Sequence, residues 1–276
     1  MKIVIQGVRG CFHEEAAQHF FEKGFEVVEA LSFDILARKL ENDPSIDFAI
    51  MAIENSIAGS ILQNYRILRD YKFRIIGELS MSIHLYVMGH KGKSLTTVNE
   101  LRSHPMAIYQ SLDFLSNHPH LKVVETDDTA LSAKIIADEN LTHCVALASK
   151  SAAKIYDLEI FQERVESSNS NYTRFIILQN SRKPLSIADF NKASIYFMVA
   201  HESGSLLKCL QILYDLNINI SKLQSYPVHG RLDKYYFYLD LEFGNTKQYE
   251  QAITELNAVT EEIEVLGVYK RGEYYS

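Results

Sequence analysis

Asn171, Tyr172, Thr173, Arg174 and Phe175 put an amide, a hydroxyl and a guanidinium at the point where a polar loop turns into an apolar strand. The loop is Glu166, Ser167, Ser168, Asn169 and Ser170, and the strand continues as Phe175-Ile176-Ile177-Leu178. Groups presented at a strand entrance from a rigid scaffold are well placed for binding or catalysis. A threonine hydroxyl can donate a hydrogen bond or a proton, and an arginine can grip a carboxylate with two parallel bonds. Thr and Arg also stand at strand entrances for structural reasons alone, so the reading depends on what else the chain offers.

A second cluster is Glu54-Asn55-Ser56, followed by Gly59. It sits at the carboxyl end of the apolar run Ile46–Ile53, where ligands collect in parallel α/β sheets. The alternative is an Asn-Ser cap for a helix from Ser60 to Tyr71. A third feature is Gly7-Val8-Arg9-Gly10, between the short strand Ile3-Val4-Ile5 and a helix from His13 to Lys23. Such a turn suggests backbone close to a ligand, with helix-start N–H groups open to an anion. A plain tight turn is the alternative, and the spacing lacks a full dinucleotide fingerprint. Ser103-His104-Pro105 opens a helix that carries Met106, Gln110, Leu112 and Leu115. Asp127-Asp128-Thr129 caps the helix Ala130–Asp138.

These groups need elements to hold them. Strand Phe25–Ala30, helix Phe33–Leu40 and strand Ile46–Ile53 imply a mostly parallel sheet. Arg74 to Met88 reads as one long extended passage that carries the chain to a second α/β lobe. Ser181-Arg182-Lys183-Pro184 is polar, basic and closed by proline, a linker signature. After it come strand Ala193–Ala200, helix Ser205–Leu216, strands Ile220–Val228 and Tyr235–Phe243, helix Lys247–Val259 and strand Ile263–Tyr269. That order, βαββαβ, is the ferredoxin-like arrangement.

Size and charge narrow the function. A chain of 276 residues has room for about two domains, and 47% hydrophobic with 23% charged residues is globular composition. A net charge of −7 argues against a general nucleic-acid binder. Cys11, Cys144 and Cys209 lie far apart without a CxxC pair, which disfavours a disulfide framework or structural zinc, and no metal cluster is expected. The expectation is a cytoplasmic protein without signal peptide or membrane span.

Together the motifs resemble those of the prephenate dehydratase family, nearly end to end. Gly7, Gly10, Phe12 and Ala16-Ala17 answer one pattern, and Ile53 to Gly59 answers Ile-Glu-Asn-Ser-x-x-Gly. Ser103-His104-Pro105 with Gln110 answers a third, Thr129-Ala130 a fourth, and Asn171 to Phe175 the diagnostic Asn-x-Thr-Arg-Phe. Val8, Cys11 and His13 stand where the first pattern commonly has Pro, Thr and Ser. The carboxy-terminal unit resembles an ACT regulatory domain, with Gly204-Ser205-Leu206 for Gly-Ala-Leu and Gln224-Ser225-Tyr226-Pro227 for Glu-Ser-Arg-Pro.

The resemblance implies an α/β fold. A catalytic domain over residues 1–180 would have two lobes like a type II periplasmic binding protein, the second at roughly 80–160. A linker at 181–192 and an ACT domain at 193–276 would follow. It implies dehydration and decarboxylation of prephenate to phenylpyruvate without cofactor or metal. Thr173 and Arg174 would be catalytic, and Asn55, Ser56, Ser103, Gln110, Thr129, Asn171 and Phe175 would line the substrate cleft. L-Phenylalanine would bind at Gly204, Ser205, Leu206, Gln224, Ser225, Tyr226 and Pro227, in a dimer or tetramer. Arogenate as substrate, or a non-catalytic two-lobed sensor, are the other readings the resemblance leaves open.

Overall fold

The structure is a computed structural model that describes every residue except 22–23, 169, 184–188 and 232. Lys23, Asn169 and Pro184, used above for a helix end, a loop and a linker, therefore lie outside the described residues. Two compact units emerge. One comprises Met1–Ile61, Leu79–Phe175 and Tyr274–Ser276; the other comprises Leu62–Glu78 and Ile176–Glu273.

In the first unit the chain begins with β1 (Lys2–Gln6), α1 (Phe12–Phe21), β2 (Glu26–Ala30), α2 (Phe33–Asn42), β3 (Phe48–Asn55) and β4 (Gly59–Ser60). β1 pairs in parallel with both β2 and β3. Both faces of such strands are covered, so β1 and β3 read as near-continuous apolar runs, Ile3 to Ile5 and Ala49 to Ile53, all buried. The expected helix from Ser60 starts later, as α3 (Leu62–Tyr71), because Gly59–Ser60 folds back on Glu54–Asn55 as a strand.

β5 (Arg74–Ser82) and β6 (Tyr86–Gly89) replace the single long passage expected there. Between them Ile83 N–H bonds Asn171 O at 2.8 Å and Leu85 O accepts from Val165 N–H at 3.0 Å. The outgoing and returning chains thus run side by side between two sheets of this unit. Beyond β6 lie β7 (Glu100–Ser103), α4 (Pro105–Tyr109), α5 (Leu112–Ser116), β8 (Lys122–Glu125), α6 (Thr129–Asp138), β9 (Cys144–Ala148), α7 (Lys150–Ile155) and β10 (Glu159–Gln162). They form a sheet in the order β10-β6-β9-β7-β8, with the entire strand β9 buried. The chain returns along β11 (Tyr172–Gln179), and the first sheet has the order β16-β5-β11-β3-β1-β2, with β16 (Tyr274–Tyr275) at its edge.

The single helix expected after Ser103 is two. α4 ends at Tyr109 with Gln110 as its C-cap, and α5 begins after Ser111. Gln110 leaves the helix because its side chain is claimed by a tertiary amide cluster described below, an override of local propensity.

In the second unit β12 (Lys192–Met198), α8 (Ser205–Asp215), β13 (Asn219–Pro227), β14 (Tyr235–Glu242), α9 (Thr246–Val259) and β15 (Glu262–Tyr269) give the βαββαβ order. Their sheet runs β13-β14-β12-β15 with antiparallel pairing, the ferredoxin-like arrangement. Strand alternation separates two faces. Ala193, Ile195 and Phe197 join Cys209, Leu213, Ala252 and Leu256 of α8 and α9 in one core. Tyr196 and Tyr238 face the other way, where α3 docks: the Tyr65 and Tyr238 rings meet at a tilt, 4.9 Å apart, and Arg69 lies 4.7 Å over the Tyr236 ring. Among the described residues no helix is long and apolar enough to cross a membrane.

Candidate active site

Asn55 ends β3 and is buried. Its Nδ2 donates to Thr173 Oγ1 at 2.9 Å, to Asn171 Oδ1 at 2.9 Å and to the carbonyl of Tyr172 at 3.2 Å. Its Oδ1 accepts from the backbone N–H groups of Ile57 and Ala58, both at 3.0 Å. This side chain therefore closes its own turn and ties that turn to β11; it does not cap a helix. Ser56 completes the tie, donating to Ser170 O at 2.7 Å and accepting from Tyr172 N–H at 3.1 Å.

Gln110 reaches the same cluster from the α4–α5 junction. Asn171 Nδ2 donates to Gln110 Oε1 at 2.8 Å, and Gln110 Nε2 lies 3.4 Å from Oδ1 of both Asn55 and Asn171. The Gln110 carbonyl also accepts from Ser167 N–H at 2.7 Å. Asn55, Gln110, Asn171 and Thr173 are thus one buried, uncharged hydrogen-bonded group drawn from three parts of the chain. Buried amides of this kind fix geometry because each unmet group would be costly.

Thr173 uses Oγ1 as an acceptor for Asn55, so its own O–H can point at a bound molecule. Phe175, two residues on and on the same face of β11, is buried and meets His13 edge-on at 5.1 Å. His13 accepts from Ala52 N–H at 3.3 Å, and burial depresses its pKa to about 3, so the ring is neutral. Arg174 is half-buried, and regular alternation sends it to the face of β11 opposite Thr173.

Other expected site residues stand outside the amide group. Ser103, fully buried at the end of β7, donates to Leu147 O at 2.6 Å and so binds β7 to β9. Thr129 is buried at the first position of α6, behind the capping Asp128. In the second unit Gly204 precedes α8 with φ +86°, a left-handed conformation that suits glycine. Ser205 and Leu206 open that helix, and Gln224 to Pro227 end the edge strand β13.

Of the two readings of the Gly7–Gly10 turn, the structure favours the plain tight turn, because the Arg9 and Gly10 N–H groups are occupied by the protein's own carboxylates. Arg9 N–H donates to Glu29 at 2.8 Å and Gly10 N–H to Glu14 at 2.6 Å. Asp128 accepts from Leu131 N–H at 2.8 Å and from the backbone of Val8. Burial pushes Asp128 up to about 6, with Glu29 raising it further and those N–H groups opposing. A Cβ on Gly7 would stand 2.8 Å from Asp128 Oδ2, and one on Gly10 2.8 Å from Ala152 Cα. Both glycines thus permit close approach of protein to protein, and no N–H is left for an anion at Arg9 or Gly10. Asp128 was readable in the sequence only as a cap; its reach to Val8 carried no sequence signal.

A half-buried His84 with a buried Glu166 also escapes the motifs. His84 Nδ1 lies 2.7 Å from Glu166 Oε1, and Leu85 N–H donates to Glu166 Oε2 at 2.9 Å, at the crossing of the two connecting chains.

The family model for prephenate dehydratase matches residues 3–183. A bifunctional chorismate mutase/prephenate dehydratase of Enterobacter agglomerans is 30% identical over 97% of this chain and 70% of its own length. An Arabidopsis thaliana protein named arogenate dehydratase/prephenate dehydratase 2, chloroplastic, is 33% identical over 98% of this chain and 72% of its own length. Among solved structures, GqqA, described as a novel type of quorum quenching acylase, shares 27% identity and a TM-score of 0.88 over 98% of both chains. The prephenate dehydratase of Arthrobacter aurescens, in complex with L-Phe, has a TM-score of 0.84 at 20% identity over 98% of this chain and 90% of that one. On the match over residues 3–183 and the 30% and 33% identical relatives, this chain belongs to the prephenate dehydratase family.

Proposed function

We propose that this protein converts prephenate to phenylpyruvate, with loss of water and carbon dioxide, in the making of phenylalanine. The observation that carries the reading is the uncharged cluster of Asn55, Gln110 and Asn171 around Thr173. Aromatisation drives this reaction. The protein must hold a dianion, help the ring hydroxyl leave, and not stabilise the departing carboxylate more than its transition state. Neutral amides meet the last requirement. Thr173 O–H donates toward the leaving hydroxyl, which departs as water; solvent water supplies the proton through the threonine oxygen, and the Nδ2–H of Asn55 on Oγ1 stabilises that oxygen as the proton passes. Ser56, Ser103, Thr129 and Phe175 complete the walls of the cleft in this reading. Arg174, on the other face of β11 by alternation, is read as adding positive charge near the strand entrance that favours a dianionic substrate. Arg174→Gln tests that part: a raised KM with kcat kept supports it, and unchanged kinetics removes the role.

The deciding experiment is incubation with prephenate and, side by side, arogenate, following phenylpyruvate and phenylalanine. Phenylpyruvate formation supports the proposal; no product from either substrate rejects it. The name of the Arabidopsis relative makes arogenate the second substrate to try. An acylase reading fits the site less well. It needs a nucleophile beside a base, whereas Thr173 Oγ1 is bonded to an amide and Ser103 Oγ donates to a carbonyl.

The βαββαβ unit is read as an ACT regulatory domain at 193–276, following a catalytic domain over 1–180 and a linker at 181–192. L-Phenylalanine would be held by Gly204, Ser205 and Leu206 with Gln224 to Pro227 of a neighbouring subunit, in a cytoplasmic dimer or tetramer. The prephenate dehydratase of Arthrobacter aurescens, solved in complex with L-Phe, makes L-phenylalanine the effector to test. Binding there would favour a less active arrangement, a coupling that is reciprocal with substrate binding. Turnover measured with saturating phenylalanine tests it, and no change rejects it.

A further inference from the structure

We propose that Glu100, His143 and Cys144 form a site for a thiophilic divalent ion of the zinc class. A carboxylate oxygen of Glu100, a ring nitrogen of His143 and Cys144 Sγ all lie within 4.8 Å of one another. Thiolate, imidazole and carboxylate are donors that zinc takes together, with water in the fourth position. Cysteine and histidine in the set favour zinc over magnesium or calcium, which prefer oxygen donors alone.

The fold makes a grouping that chain order hides. β7 and β9 are parallel neighbours, and Glu100 stands opposite Cys144 in their register. His143 immediately precedes β9, its carbonyl held by Asn99 N–H at 3.0 Å. Cysteine spacing disfavours a zinc site made of cysteines alone, but here two of the three donors come from other residue types.

The contacts within the group suit exchange of a proton for a metal ion. Cys144 Sγ–H donates to Glu100 Oε1 at 3.4 Å, so the thiol proton lies where an ion would sit. Arg102 Nε donates to the same Oε1 at 2.6 Å. That bond orients the carboxylate and leaves Oε2 for the ion, as outer hydrogen bonds to ligating carboxylates do. Arg102 also brings positive charge, which places the site among weaker, exchangeable ones. The inner side is closed by buried Cys144, and His143 is exposed, which gives the ion its entry.

The site lies at the start of β7 and β9. Ser103 and Leu147, bonded to each other, lie at the far ends of the same two strands. At roughly 3.3 Å per residue the two places are about 10 Å apart. The ion would brace the second sheet of this unit without entering the amide cluster around Thr173.

The test is titration of the full, reduced chain with Co2+, read by absorbance and competed with Zn2+. Binding of about one equivalent with release of about one proton is expected, with a thiolate-to-cobalt charge-transfer band that Zn2+ removes. Cys144→Ser abolishes the band. His143→Ala, at an exposed position that leaves the core intact, weakens binding at least about 10-fold. No charge-transfer band in the unaltered protein, a band that survives Cys144→Ser, or binding unchanged by His143→Ala would each overturn the proposal.

Discussion

Asn55 Nδ2 donates to Thr173 Oγ1 at 2.9 Å, joining the carboxyl end of β3 to the entrance of β11. Oγ1 is already an acceptor, so in the proposed reaction the threonine proton would be the group on offer, and the donor from Asn55 would offset charge that builds on the oxygen as the proton leaves.

Thr173→Ala is therefore expected to lower kcat for phenylpyruvate formation by about 10²–10⁴-fold, with KM little altered. Thr173→Ser, which keeps the hydroxyl, should restore most of the rate. A folded Thr173→Ala protein, checked by circular dichroism, that turns over at near-normal speed would remove the role.

The amide group makes a second expectation about stability. Asn55 satisfies the N–H groups of Ile57 and Ala58 as well as its partners on β11. Asn55→Ala should cost about 1–3 kcal/mol for the groups left unmet, read from chemical denaturation. Gln110→Ala and Asn171→Ala remove the two ends of the 2.8 Å bond between them. Combined, they should cost less than the sum of the singles, because neighbours in one network are not additive. Strict additivity would mean that the bond does not couple the two residues.

The sequence carried the ends of the strands better than the partners of their side chains. The runs Ile46–Ile53 and Phe175–Leu178 became β3 and β11 because apolar continuity is a local signal, visible without knowing neighbours. The hydrogen-bonding residues at those ends were legible as candidates for the same reason, and Asn55, Gln110, Asn171 and Thr173 do meet. The break at Gln110 was not legible, since the residues that pull it from a helix, Asn55 and Asn171, are distant in the chain. The choice between the two readings of the Gly7–Gly10 turn was not legible for a related reason: the carboxylates that occupy its N–H groups come from Glu14, Glu29 and Asp128. Arg174 illustrates a different limit. Strand alternation turns adjacent side chains to opposite sheet faces, so its adjacency to Thr173 in the chain does not by itself say what it touches.

Gly10 gives a third expectation. Its φ is +85°, and an added Cβ would stand 2.8 Å from Ala152 Cα and 3.1 Å from Ala152 N, both backbone atoms that cannot step aside. Gly92 has φ +75° and nothing within 4 Å. Gly92→Ala should cost only the left-handed penalty of about 1–2 kcal/mol, while Gly10→Ala should cost that and at least about 1 kcal/mol more, on the usual scale of overpacking. Equal shifts in melting temperature would show that α7 moves away from the turn without penalty.

The last expectation concerns pH, where two buried groups work against each other. His13 is held at about 3 against an ordinary 6.5, so between those values the unfolded chain binds the extra proton. Its contribution is full above pH 6.5 and is lost as pH falls toward 3. Asp128 is held at about 6 against 3.8, so in that window the folded chain binds the extra proton. Its contribution is full below pH 3.8 and is lost as pH rises through 6. Each slope reaches about 1.4 kcal/mol per pH unit at most, and from pH 4 to 6 they have opposite signs. Removing Asp128 with Asp128→Asn leaves the His13 slope, so stability should climb more steeply with pH than in the unaltered protein. Removing His13 with His13→Gln leaves the Asp128 slope, so the curve should flatten or fall. Urea midpoints measured at pH 4, 5 and 6 on the three proteins separate these outcomes. Parallel curves would show that neither group changes its protonation between the folded and unfolded chain in this window.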